Sequence, residues 1–290
     1  MDKDRISDYT CHGQVSPQVA RRPTPHTGYN RRVELIDTHC HIDDASFDPD
    51  RDAVLARCRA HRINRLIVPA VTAAGWDKLI RLCADDSNLF PALGLHPLMV
   101  DEHHPDDLHR LEQRLSQVKP VAVGEIGLDH YIKTQDTKRQ YDYFVSQLEL
   151  AQHAGLPVIL HVRKAHDQVL NTLKRFRLSG GIAHAFNGSL QQAKHYLDLG
   201  FKLGFGGMLT FERSTRLRQL ARALPANAIV LETDAPDMTV AAHRGQRNSP
   251  EYLTHCLTAL AQVRNEPEDI VARQTTQNAL EIFTSIPQPK

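Results

Sequence analysis

Two histidines two positions apart, His39 and His41, follow the run Glu34-Leu35-Ile36-Asp37, so an apolar lead-in stops at a carboxylate and a pair of imidazoles. In an extended chain such residues face the same way, which sets Asp37, His39 and His41 in one polar row at the end of a buried strand. Two imidazoles on one side of a strand end can chelate one divalent ion. Taken alone, a His-x-His is equally a pair of surface histidines. Further along lie His96, Glu125, His161, His184 and Asp234, each at the end of a short apolar run. Imidazole and carboxylate donors in that number suit a hydrolytic metal centre, provided a fold brings them together.

The elements that would do so are legible in the pattern. From Val33 onward, short apolar runs alternate with amphipathic segments of helical period, as in repeated βα units around a parallel sheet. Eight strands are predicted, over residues 33–37, 65–69, 89–95, 120–125, 157–161, 181–184, 201–204 and 228–233. Helices are predicted over 52–62, 76–84, 106–117, 138–154, 166–176, 190–199 and 214–223, with 250–264 and 267–283 closing the chain. Gly155, Gly180 and Gly200 stand where helices end before a strand. About 250 residues in eight such repeats is the size and rhythm of a single α/β domain, a (β/α)8 barrel of the TIM type with C-terminal helices. An open doubly wound sheet is the other arrangement the pattern admits, because strand count is more legible than closure.

In a barrel the C-terminal ends of all strands open on one face, where active sites are built. His39 and His41 end the first predicted strand, His96 the third, Glu125 the fourth, His161 the fifth, His184 the sixth and Asp234 the eighth. A single strand-end histidine is more often a hydrogen-bonded rim residue, and Glu125 or Asp234 alone can cap a loop. Their joint placement on six strands is what makes a metal site of them.

Composition narrows the rest. The chain has 290 residues, 41% hydrophobic, with a formal net charge of +1, enough for a sizeable core and without a long run of like charge. Nothing in it suggests a broad nucleic-acid face or a membrane partner. The five cysteines are scattered, odd in number and never Cys-x-x-Cys, as expected of reduced thiols in the cytoplasm. Residues 1–32 are polar, with Pro23, Pro25 and an Arg21-Arg22 pair, and lack apolar periodicity or a signal-peptide core. They read as a disordered N-terminal extension ahead of a hydrolase barrel at 33–286.

Six stretches taken in order carry a family resemblance: Asp37-Thr38-His39-Cys40-His41, Gly94-Leu95-His96-Pro97, Gly124-Glu125-Ile126-Gly127-Leu128-Asp129, Pro157-Val158-Ile159-Leu160-His161-Val162-Arg163, His184-Ala185-Phe186-Asn187-Gly188-Ser189 and Glu232-Thr233-Asp234-Ala235-Pro236. Together they resemble the TatD family of metal-dependent deoxyribonucleases, in the amidohydrolase superfamily. His-Ala-Phe-Asn stands where His-Cys-Phe-Ser is frequent, and Asp237-Met238 follows Ala-Pro where an aromatic is frequent. Both departures resemble the YjjV-like branch.

The resemblance implies two divalent ions, zinc, manganese or magnesium. One is held by His39, His41, Glu125 and Asp234, the other by Glu125, His161 and His184, with Glu125 bridging. Such a cleft carries net positive charge and attracts an anion such as a phosphodiester. Asp234 is the expected proton acceptor for the attacking water. His96 and Arg163 face the mouth as expected substrate contacts, Arg163 as a bidentate donor to phosphate. Arg247 resembles half of a family Arg-Asn pair and is a further expected contact. Asp37 can orient the His39 imidazole or hold the strand, and His103, His104 and His243 read as surface residues. The reaction implied is 3′ to 5′ exonucleolytic hydrolysis of single-stranded DNA. The same barrel and ions also suit other esters and amides, including D-aminoacyl-tRNA, and a non-enzymatic metal-loaded binding protein is the remaining alternative.

Overall fold

The computed structural model describes residues 33–287. Residues 1–32, including Cys11, lie outside them. Eight parallel strands pair in chain order: β1 Leu35–Asp37, β2 Ile63–Pro69, β3 Leu89–Leu93, β4 Ala122–Asp129, β5 Val158–Arg163, β6 Gly181–Ala183, β7 Phe201–Phe205 and β8 Ile229–Leu231. Between them run α1 Arg51–Ala60, α2 Trp76–Asp85, α3 Asp106–Val118, α4 Thr137–Ala154, α5 His166–Leu173, α6 Leu190–Asp198 and α7 Thr215–Ala223, followed by α8 Leu253–Arg264 and α9 Glu268–Ile282. This is the predicted (β/α)8 barrel. Among the described residues, no helix is long and apolar enough to cross a membrane.

The barrel's interior is filled by one small or branched side chain from almost every strand. Ile36, Ile67, Ala92, Ala122, Ile159, Ile182 and Val230 pack there and are nearly or wholly buried. Leu280, Phe283 and Ile286, at and beyond the end of α9, close this layer from below. Only the opposite end is left open, and strand alternation aims the functional residues at it. His161 lies two positions past Ile159, His184 two past Ile182, His96 four past Ala92 and Asp234 four past Val230, so each keeps the inward face.

Strand four does not follow simple alternation. Val123 and Ile126 both pack outward against the helices, and the β4–β5 register shifts between them. The extra residue of this bulge turns Glu125 inward, one of the uses to which bulges are put. β4 then continues to Asp129, four residues beyond its expected end, and β5 runs on to Arg163.

The first strand also differs from expectation. β1 stops at Asp37 and the chain bends at Thr38 and His39, so Asp37, His39 and His41 do not share one extended face. Asp37 instead joins the first and last strands. Its carboxylate accepts from Thr233 N at 3.0 Å, Thr233 Oγ1 at 2.5 Å and His39 N at 3.2 Å. Thr38 N donates to Leu231 O and Asp234 N to His39 O across the same seam, at 3.1 and 2.9 Å.

Candidate metal centre

Two of the histidine candidates are oriented by their second ring nitrogen. His41 Nδ1 lies 3.1 Å from the Pro69 carbonyl at the end of β2, which can only accept, so the proton sits on Nδ1 and Nε2 presents its lone pair to the barrel axis. His161 Nε2 lies 2.8 Å from Asp129 Oδ2, which leaves Nδ1 bare toward the axis. His184 turns Nδ1 to Glu232 Oε1 at 3.1 Å and Nε2 to Asp234 Oδ2 at 3.6 Å. Its ring stacks on His39 with centroids 3.6 Å apart.

The donor atoms converge around the two oxygens of Glu125. Oε2 is 3.1 Å from His39 Nε2 and 3.7 Å from His41 Nε2; Asp234 Oδ1 is 3.6 and 3.8 Å from the same nitrogens, which are 3.2 Å from each other. Oε1 is 3.0 Å from His161 Nδ1 and 3.3 Å from His96 Nε2. Lone pairs facing one another at these distances repel unless a cation or proton lies between them. A tetrahedral ion with bonds of about 2.1 Å needs donors about 3.4 Å apart, so the His39, His41, Glu125, Asp234 set fits one. His39, His184 and Asp234 also converge, as do His96, Glu125 and His161. Of the ligands expected for a second ion, Glu125 and His161 are together, whereas His184 leans toward Asp234.

Electrostatics follow the same division. Burial works against the Glu125 charge, yet the surrounding imidazoles hold its carboxyl well below the usual range. Asp234, also opposed by burial, is carried down to about 2 by His184, His39 and His41. Burial disfavours a charged His161, but Asp129 and Glu125 raise it to about 9. Burial lowers His39 and His96. In the ion-free centre the carboxylates are therefore ionised, and protons collect on His161 and His184 between them.

The expected substrate contacts are placed differently from one another. His96 Nδ1 accepts from Leu98 N at 3.1 Å, so in its neutral form Nε2 carries the proton and donates into the site. Arg163 lines the mouth, its guanidinium 3.6 Å over the Tyr131 ring. Arg247 is committed elsewhere: both terminal nitrogens reach the Asp50 carboxylate, at 2.9 and 2.7 Å, and the group stacks over Phe47. It does not line the cavity. Asn248, its neighbour, donates to the carbonyls of Thr233 and Asp237 and props the loop after β8.

Sequence reasoning passes over three supporting residues. Asp129 orients His161; its signal is the alternation Ile126, Gly127, Leu128, Asp129, which continues a strand expected to stop at Glu125. Glu232 is buried beside His184 and accepts from Ala185 N at 2.7 Å. His103 is not a surface residue: it is buried, and its Nε2 lies 2.9 Å from the His96 carbonyl.

The centre lies in a cavity of about 1050 Å³ at the open end of the barrel. Residues 36–284 match the family described as TatD related DNase. The metal-dependent hydrolase YjjV of Escherichia coli K12 is 40% identical over 252 residues, 86% of this chain and 97% of that protein. A metal-dependent hydrolase of Haemophilus influenzae is 39% identical over 263 residues, 87% and 100% of the two. The crystal structure of E. coli YjjV, a TatD homologue, superposes with a TM-score of 0.83 over 86% of this chain and 98% of that one. Fold, donor geometry and relatives agree: the chain belongs to the TatD related DNase family, a family of metal-dependent hydrolases on the (β/α)8 barrel.

Proposed function

We propose that the protein is a deoxyribonuclease that uses two divalent ions to hydrolyse phosphodiester bonds at the 3′ end of single-stranded DNA. The observation that carries this reading is the division of Glu125: one oxygen faces His39 and His41, the other His161. A carboxylate so placed would serve as a ligand to two ions, the kind of centre used for displacement at phosphorus. Nitrogen and oxygen donors in this proportion suit zinc or manganese, with magnesium the harder ion.

Ions held there by His39, His41, Glu125, His161 and Asp234 would supply water activated near neutral pH and positive charge against the phosphoryl oxygens. Asp234, ionised and 17% exposed at the cavity floor, takes the proton from the attacking water and passes it to solvent. His96 Nε2–H and the Arg163 guanidinium hold the non-bridging oxygens. The P–O bond to the 3′ oxygen then breaks, that oxygen takes up a proton from solvent, and a 5′-mononucleotide is released.

The test is a panel on the metal-loaded protein: single-stranded DNA labelled at its 5′ end, bis-p-nitrophenyl phosphate, p-nitrophenyl acetate and D-aminoacyl-tRNA. Stepwise shortening of the labelled strand is expected. Internal cuts in a circular single strand overturn the exonuclease reading. Turnover of the carboxylic esters with none of the phosphodiesters moves the reaction class.

A further inference from the structure

The cavity is far larger than two ions and one phosphoryl group require. Beyond the metal centre it continues between the β6 and β7 loops and α7, where its character changes. Phe186, Met208, Leu217 and Leu220 form an apolar wall there, and Arg213 and Arg216 stand on its rim. Among the described residues neither guanidinium pairs with a carboxylate: Arg216 makes one long contact, 3.4 Å, to the Gly188 carbonyl, and Arg213 lies 5.4 Å over the Phe211 ring. The same mouth also carries Asp43, Asp44 and Asp237. Carboxylates at these positions give poor support to a second anion.

We infer that this lobe is a nucleotide subsite: its wall takes the base next to the scissile bond, and Arg213 and Arg216 take the adjoining phosphate. The inference rests on the phosphodiesterase reading and names where the second nucleotide goes. A plain acyl or alkyl group would fill the apolar wall but leave both arginines without a partner. A nucleotide supplies both halves in one ligand, a π-face that stacks on apolar or aromatic side chains and an anion suited to guanidinium.

The experiment measures equilibrium binding of a fluorescent single-stranded trinucleotide to the metal-loaded full chain carrying Asp234→Asn, with Arg213→Ala/Arg216→Ala added in a second protein. Two altered ligands complete it: one with a neutral methylphosphonate at the linkage next to the scissile one, one abasic at the adjoining nucleotide. Each alteration is expected to weaken binding about tenfold. The arginine substitutions are expected to weaken binding of the natural ligand about tenfold while leaving the methylphosphonate affinity unchanged. Equal affinity for phosphate and methylphosphonate overturns the assignment, as does an equal loss for both ligands on removing the arginines. If the substituted protein does not fold, the ligand comparison in the parent protein still decides. Bis-p-nitrophenyl phosphate hydrolysis by the unsubstituted protein tests the parent reading separately, since that compound has no second phosphate.

Discussion

At the scale of single residues, the centre depends on which nitrogen of each histidine carries the proton. Asp129 fixes this for His161, and removing an outer carboxylate of this kind commonly costs 10–100-fold in metal affinity or activity. Asp129→Ala is accordingly expected to weaken metal binding by about that factor while the far-UV spectrum is retained, as metal titration would show; unchanged affinity would mean that His161 keeps its tautomer without help. Asp234→Asn keeps an oxygen near His39 and His41 but cannot accept a proton. Its turnover is expected to fall about 10²–10⁴-fold with metal content partly kept, and single-turnover kinetics beside elemental analysis separates loss of the base from loss of the ions.

At the scale of elements, the site depends on how closely the last three strands approach. A β-carbon at Gly204 in β7 would overlap the Glu232 carboxylate, the group that faces His184 Nδ1. Gly204→Ala must therefore displace Glu232, and with it the His184 ring. The expected outcome is a drop of at least tenfold in metal affinity, visible by isothermal titration, from a residue that touches no ligand atom. Native affinity in that variant would show that β7 and β8 can separate without consequence. Arg247 illustrates the reverse case, a cation expected at the substrate and found joined to Asp50 near the start of α1.

For the molecule as a whole, barrel closure and bound metal each add to the stability of the buried apolar core. Asp37→Ala removes the acceptor of three hydrogen bonds, two of them across the β8–β1 seam, and leaves buried donors unpaired. At about 1 kcal/mol each the loss is about 3 kcal/mol, or a fall in Tm of about 6–12 °C for a domain of this size, measurable by calorimetry on chelated protein. Metal adds stability because the folded chain binds it and the unfolded chain does not. Its ligands must be unprotonated. Metal must displace the proton that His161 holds up to about 9 in the ion-free fold, so the gain is full above that pH and falls as pH drops below it. The Tm difference between loaded and chelated protein is expected to shrink steadily as pH falls below about 9; a difference undiminished at acid pH would place the stabilising ion away from these imidazoles.

The sequence by itself determined the repeat of strand and helix, the eight strands, and the placement of imidazoles and carboxylates at or just past their ends. All of these follow from side-chain periodicity and type, which are local properties of the chain. Gly155, with φ 65° at the end of α4, is a local signal of the same sort. The tertiary structure decided what depends on partners distant in sequence. Only the β4 bulge turns Glu125 inward, because alternation from Val123 would send it to the helices. Only the β8–β1 seam gives Asp37 its role, since Thr233 is 196 residues away. Arg247 and Asp50 are likewise 197 residues apart, and no motif spacing distinguishes an arginine held by such a carboxylate from one free to hold a phosphate.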